Sequence, residues 1–491
     1  MTQIIFISIL YLAGFCFGLL FKKKIPFPFI CLSGFLWGSV FYAVASLLVL
    51  GSGIPYTRVT MGIAVIIFII SLAIVNYFHG NWKFHPGEFS WLVGSFLVFF
   101  LTSLAVTLFN FSTVSQDSYY QIMTGREMAF DGFSAAVMNY MAIAGPFMLV
   151  MQSAGVLIGV DYLYTLSPLF FISLLLIFLY ICFRSIRLKF SGPIFPFFIS
   201  LLAALAFLSS DLFLFQIFYI HGNLPASTYL FVCMGVCWLA AREENPTWLV
   251  FAGLSLIAFS LIRIEGILYA LILLFLVFTI FHFAPRTRWS FSLPFLITIF
   301  LWYLLIFIRF PDKAGFLDRT RILMLMASLV FLGFYVFLLR YPFIRQWASK
   351  LLPYVVGFGV IILGAALWFL FPANTSTSLL VTLQNMFIEG RWGALWYVVP
   401  LLLALVFTRP RIENELFFIL FFILYFVFLV ALGSIREFPY HTKWYDSGNR
   451  MFTHILPIIF FYLVLKYTPG LSDHAVSATG LISEINTTNA R

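Results

Sequence analysis

Long apolar runs separated by short polar breaks dominate the chain, and many reach 18 residues or more, the length that crosses a hydrocarbon core as a helix. Hydropathy places spans near 2–21, 28–50, 60–79, 91–109, 162–183, 193–210, 224–241, 247–262, 266–284, 290–308, 322–339, 351–371, 392–408, 415–433 and 451–467. The pattern predicts an all-α polytopic transmembrane helical bundle of about 13–15 spans. The stretch 247–284 holds 38 mostly apolar residues, nearly twice the hydrocarbon thickness at about 1.5 Å per residue. It has to break, and the sequence LIRIEGIL puts the break at Arg263, Glu265 and Gly266.

One polar interruption stands out after the fourth span: NFSTVSQDSYYQIMTGREMAFDGFSA, residues 110–135, with Asp117, Tyr119, Tyr120, Arg126, Glu127 and Asp131. Charge beside a membrane span is costly unless something there needs it. The outer loop 110–147 alternates aromatic and polar residues before Gly145-Pro146, which predicts one or two amphipathic helices lying in the interface. Residues 147–160 are apolar but short for a span, so they are either re-entrant or a continuation of the loop. Three regions follow: residues 1–89 as additional amino-terminal helices, 90–467 as the main transmembrane module, and 468–491 as a polar, disordered cytoplasmic tail.

Composition fits this picture, with 63% hydrophobic residues, 64 Phe and a mean hydropathy of +1.05, more apolar surface than a soluble core can bury. Charged residues are only 9%, and the formal charge of +10 is first a topology signal. The basic cluster Lys22-Lys23-Lys24 follows the first apolar run instead of preceding it, so that run is not a cleavable signal peptide and the amino terminus faces outward. Alternating from there puts 17 of the 28 Lys and Arg on the cytoplasmic side. The outer ones include the clusters Arg309 to Arg321 and Arg436 to Arg450, together with Arg391. No soluble basic face is present for nucleic acid. The five cysteines lie in or beside apolar runs and read as small buried hydrophobes.

The chain has no repeat of fixed period, Walker sequence, GxGxxG after a strand or HExxH. Three segments carry a likeness instead: QDSYYQIMTGREMAFDG; HGNLPASTYLFVCMGVCWLA followed by LVFAGLSLIAFSLIRIEGILYALILL; and WYDSGNRMFTHILPIIFFYL. Together they resemble the GT-C superfamily of membrane glycosyltransferases, in particular the protein O-mannosyltransferases and the lipid A aminoarabinose transferase (family 39-like), over roughly residues 90–467. In that family the second segment ends in Lys or Arg at the outer face and the third carries an Arg before the last helix. Arg263 and Arg450 occupy those positions. Two departures are plain. Acidic pairs are common in the family's first loop, whereas Asp117 is followed by Ser118, leaving Asp211, Glu127 or Asp131 to supply any second carboxylate. Three spans, where the family usually has one, also precede the helix that leads into the Asp loop.

The resemblance implies inverting transfer of a sugar from a polyprenyl-phosphate donor to a glycan, lipid or protein acceptor at the outer face of the plasma membrane. Such chemistry needs a carboxylate to take the acceptor proton and cations for the departing phosphate. Asp117 is then the general base, Asp211 a possible second carboxylate, Arg263, Arg450 and Arg391 the donor-phosphate ligands, and Tyr119, Tyr120 and Trp444 the sugar or acceptor contacts. No cofactor is certain; a divalent metal is possible, although the single acidic residue of the motif argues mildly against one. Each residue has a structural alternative. Asp117 caps a helix or bridges to Arg126; Arg263 pairs with Glu265; Asp211 caps a helix; Arg309 to Arg321 contacts headgroups; His221 and His441 are passive loop residues. A polysaccharide polymerase or ligase, or a flippase or transporter of lipid-linked sugars, are the alternative functions.

Overall fold

A computed structural model describes residues 1–109, 112–187, 192–310, 313–314, 317–435 and 440–468. Lys189, Arg436 and the tail from Pro469 lie outside the described residues. The chain is helical nearly throughout. Its helices are α1 (Thr2–Leu19), α2 (Phe27–Ser52), α3 (Arg58–Phe78), α4 (Pro86–Phe109), α5 (Gln116–Asp131), α6 (Ala135–Ala144) and α7 (Pro146–Leu157). They continue with α8 (Leu166–Arg187), α9 (Ile194–Leu208), α10 (Asp211–Phe218), α11 (Asn223–Arg242), α12 (Trp248–Ile262), α13 (Gly266–Ile280) and α14 (Pro285–Arg309). The last are α15 (Arg319–Leu338), α16 (Pro342–Leu370), α17 (Pro372–Gln384) with a π-helical turn Asn385–Glu389, α18 (Leu395–Val406), α19 (Leu416–Ser434) and α20 (Ser447–Tyr467).

Eleven of these are long and apolar enough to cross a membrane, or twelve if α9 and α10, bent by 86° at their junction, count as one span. Every predicted span falls on a helix. The expected bundle of 13–15 is met by counting the 15-residue α12 and α13 and the 12-residue α18. The break in 247–284 falls where the sequence puts it, with Arg263 ending α12 and Gly266 opening α13. For residues 147–160 the structure has a short separate helix, α7, which is almost wholly buried.

Burial sorts the helices. All of the α20 window and 94% of the α11 window lie inside the protein, against 11% for α3 and 17% for α16, so α11 and α20 form the centre and α3 and α16 the lipid-facing rim. The amino-terminal α2 is packed into that centre: the Tyr229 hydroxyl donates to Leu36 O at 2.9 Å, and the Phe29 ring meets Trp248 at 4.8 Å. A Cβ on Gly38 would lie 1.8 Å from Leu10 O, so only glycine lets α1 and α2 approach this closely. All five cysteines are buried and free.

Polar ties gather the loops at two ends. At one end Lys22 bonds Glu88 at 2.8 Å, Asn245 bonds Lys24 O at 2.6 Å, Arg184 pairs with Glu243 and Lys466 with Glu415, each at 2.5 Å. These are the loops that charge asymmetry assigns to one side. Asp117 and Arg450, in the first turns of α5 and α20, and Arg263 and Arg391, in turns between helices, lie at the other end.

Candidate active site

Asp117 lies in the first turn of α5, after Ser115 in extended conformation at the N-cap, where the helix dipole favours a carboxylate. The loop before it is held beside the end of α10, with Thr113 N donating to Phe218 O at 2.7 Å. Arg450 comes from the far end of the sequence. Asp446 caps α20 by accepting from Gly448 N at 2.8 Å and Asn449 N at 3.2 Å, and this fixes the turn that carries Arg450. Its Nη2 donates to Asp117 Oδ2 at 2.7 Å and its Nη1 to the Tyr219 hydroxyl, also at 2.7 Å. Tyr219 closes the ring by donating to the same Oδ2 at 3.1 Å while accepting from Ser115 Oγ at 2.9 Å.

Both bonds to Asp117 fall on Oδ2; among the described residues none falls on Oδ1. The Asp117 side chain is 44% exposed and that of Arg450 only 7%, so a fixed cation holds a carboxylate whose second oxygen faces outward. Arg450 Nε is buried without a partner among the described residues. His221 stacks on Tyr219, with centroids 5.3 Å apart and planes 8° from parallel, and its Nδ1 is likewise buried and unpartnered. Burial, reinforced by Arg450 and Arg263, holds His221 well below the ordinary histidine range, so the ring is neutral at pH 7. Burial and the Asp117 carboxylate raise the Tyr219 phenol despite the opposing pull of Arg450.

Arg263 occupies a neighbouring position. Its Nη1 donates to Asn223 Oδ1 at 2.6 Å, and Nε and Nη2 reach the two Glu265 oxygens at 3.3 and 3.4 Å. Asn223 in turn donates to Gln216 of α10 at 3.3 Å. Burial works against the Arg263 charge, but Glu265 outweighs it and raises the pKa. The pairing with Glu265 is therefore present. The turn is pressed from the other side by Gly145, at φ +79°, where a Cβ would lie 2.6 Å from Ile262 O.

Arg391 and Asp211 form a separate, more exposed pair at 3.7 Å. The Arg391 guanidinium lies 4.9 Å over the Trp444 ring, Trp444 meets Phe215 edge-on at 4.8 Å, and Phe215 meets Tyr219 at 5.1 Å. One short helix, α10, thus touches all three groups through Asp211, Phe215 and Gln216. Tyr119 and Tyr120 are exposed on α5, with Tyr120 6.1 Å from Tyr140.

Several sequence readings are corrected. Asp117 neither caps α5 nor meets Arg126; its partner is Arg450. Ser210, not Asp211, caps α10, accepting from Phe213 N at 3.3 Å. Glu127 accepts from Ser134 at 2.6 Å in the α5–α6 turn. Asp131 ends α5, lining an outer cavity of about 320 Å³ together with Arg309. Fourteen residues of helix separate Asp131 from Asp117, roughly 21 Å, so neither of these acids joins it. Tyr219, Ser115 and Asn223 were not singled out, although the run YIHGN beside an outer helix end is the polar signal that marks them. Among the described residues no three of His, Cys, Asp and Glu gather as metal ligands.

Fold and site define a multi-pass, all-α membrane protein with a carboxylate–guanidinium–phenol triad at one end of the bundle. No protein-family model matches the chain, and no curated protein is similar to it. Among solved structures, the archaeal oligosaccharyltransferase AglB from Archaeoglobus fulgidus, in complex with an inhibitory peptide and a dolichol-phosphate, is similar at 16% identity and a TM-score of 0.43, over 80% of this chain and 51% of that one. The Archaeoglobus fulgidus oligosaccharyltransferase tethered with an acceptor peptide is similar at 15% identity and a TM-score of 0.43, over 75% of this chain and 48% of that one. The chain spans about half the length of these structures.

Proposed function

We propose that this chain is a membrane glycosyltransferase that moves a sugar from a polyprenyl-phosphate donor to an acceptor, with inversion, at the outer face of the plasma membrane. The observation that carries the reading is the Asp117–Arg450 pair: a half-exposed carboxylate with one oxygen anchored and the other open, beside a buried guanidinium with an unused N–H. The acceptor oxygen attacks the anomeric carbon and the sugar–phosphate bond breaks. The acceptor proton passes to Asp117 Oδ1, and the bonding electrons leave with the phosphate. Arg450 Nε then has a natural partner in the phosphate, and Arg391, half-exposed over Trp444, is the second cation that reaches it. Arg263, already neutralised by Glu265, orients Asn223 and α10, and contributes field more than contact. Tyr119, Tyr120 and Trp444 offer ring faces to the sugar or acceptor.

The catalytic module runs over residues 90–467, with residues 1–89 as additional helices. The test is transfer by purified protein in lipid with a panel of radiolabelled polyprenyl-phosphate sugars, comparing the wild type with Asp117→Asn. Labelled product from the wild type, lost in a folded Asn variant, is the expected result. Donor bound but never consumed by the wild type, or a fully active Asn variant, would sink the assignment.

A further inference from the structure

At the opposite end of the bundle, α14, packed mainly on α12 and α15, carries a buried guanidinium, and α13 to α16 contain no carboxylate to match it. Arg288, in the first turn of α14, is only 1% exposed. Its Nε donates to Phe283 O at 2.9 Å, while Nη1 is buried without a partner among the described residues. Arg345, in the first turn of α16, lies near enough to repel it electrostatically, and its own Nε is buried and unpartnered. Tyr335 of α15 stands beside Arg288, its hydroxyl 2.6 Å from Thr279 Oγ1 of α13.

The sequence contains no Asp or Glu from Gly266 to Phe310 or from Arg319 to Phe371. No carboxylate on these four helices is available to neutralise the two arginines. A desolvated guanidinium beside a second, half-buried one, each with a buried free N–H, is destabilising unless an anion sits between them. Both also open helices that begin with proline, Pro285 and Pro342, and free N–H groups and the dipole at a helix start attract anions. Arg286 adds a cation in the first turn of α14, and Arg340 another just before α16.

We propose that a phosphate anion binds between Arg288 and Arg345, and that it is the headgroup phosphate of an anionic membrane phospholipid. A lipid is favoured over free phosphate because α15 and α16 bury only 22% and 17% of their apolar windows; acyl chains can lie along them while the headgroup enters between the turns. α13 opens beside Arg263 and ends at Ile280, near the start of α14, so this site lies at the opposite end of α13 from the Arg263 turn and Asp117.

The test is native mass spectrometry of delipidated protein titrated with phosphatidylglycerol or phosphatidylcholine, for the wild type, Arg288→Gln, Arg345→Gln and the control Arg409→Gln. Phosphatidylglycerol should bind wild type and Arg409→Gln alike and Arg345→Gln at least about tenfold more weakly, the loss of a charge-assisted hydrogen bond. Phosphatidylcholine should bind weakly to all. If Arg288→Gln does not fold, Arg345→Gln, which replaces a half-buried side chain, carries the test. Equal phosphatidylglycerol binding by Arg345→Gln and wild type would overturn the site. A rise in Tm with inorganic phosphate in wild type but not Arg345→Gln, with the two lipids bound alike, would overturn the lipid and make soluble phosphate the ligand.

Discussion

Arg450 follows Asp117 by 333 residues, yet its Nη2 lies 2.7 Å from the Asp117 Oδ2. The last helix of the bundle therefore supplies the counter-charge for the first polar loop. Because Arg450 is buried and capped in place while Asp117 is half open, the pair has a rigid side and an accessible side. In the proposed reaction the acceptor and its proton approach from the accessible side.

Asp117→Asn keeps the size of the side chain and an oxygen able to accept from Arg450 and Tyr219, so the variant should fold. Transfer should fall by roughly 10²- to 10⁴-fold, the usual contribution of a general base. Product formation per folded protein, with folding followed by thermal unfolding in detergent, measures it; a loss under about tenfold leaves no room for Asp117 as the base.

Tyr219→Phe removes the hydroxyl that joins Ser115, Asp117 and Arg450 but retains the ring stacked on His221. If Tyr219 positions Asp117 and Arg450 for the proposed reaction, kcat/KM should fall about tenfold with stability lowered by about 1 kcal/mol. The decisive comparison is Ser115→Ala, which loses only the outermost bond and should cost less. Equal losses in both variants, or none in Tyr219→Phe, would show that the phenol does not hold the pair together.

The spans were legible because a helix in hydrocarbon must be apolar over its whole length, and the Arg263 turn because 38 residues are too many for one crossing. Helix α17 falls in none of the predicted spans, because Asn374, Thr375, Ser376, Thr377 and Ser378 break the apolar run, although Thr375 and Ser378 are buried. In the site, residue types pointed to Asp117 and Arg450 separately. Their union is tertiary, and no spacing encodes it. The Arg126 alternative was excludable from geometry, since nine residues of helix rotate a side chain to the opposite face, about 180° away. Tyr219 escaped because a tyrosine at a helix end is usually an interface anchor; only the fold shows its hydroxyl turned to a carboxylate.

His221 predicts a pH effect on stability. Its native pKa lies well below 6.5, whereas the unfolded ring keeps about 6.5. Above that pH both states are neutral and the residue gives no pH dependence. As pH falls below it, the unfolded state takes up a proton that the native state refuses, so stability declines until the native pKa is passed. The Tm of wild type should therefore drop between about pH 7.5 and 5.5, and His221→Gln should drop less. Parallel Tm curves for the two proteins would mean that the folded-state pKa of His221 is not depressed.

Arg391 separates strain from function. Its φ of +58° is left-handed, a conformation that costs a non-glycine residue about 1–2 kcal/mol. Its backbone oxygen accepts from Leu212 N at 3.1 Å, so the turn is held in place whatever the side chain. Arg391→Ala and Arg391→Gly lose the same guanidinium and differ only in backbone freedom, so the Gly variant should be more stable than the Ala variant by about 1 kcal/mol. The exposed bridge to Asp211 contributes at most about 1 kcal/mol, which keeps Arg391→Gly close to wild type in Tm. If the guanidinium meets the donor phosphate, both variants should show a raised KM for the donor by about tenfold or more, whatever their stability. Asp211→Asn, which frees Arg391 without removing it, should leave that KM unchanged or lower it. A wild-type KM in both the Ala and Gly variants would make Arg391 a strained turn residue packed on Trp444 and remove it from the donor site.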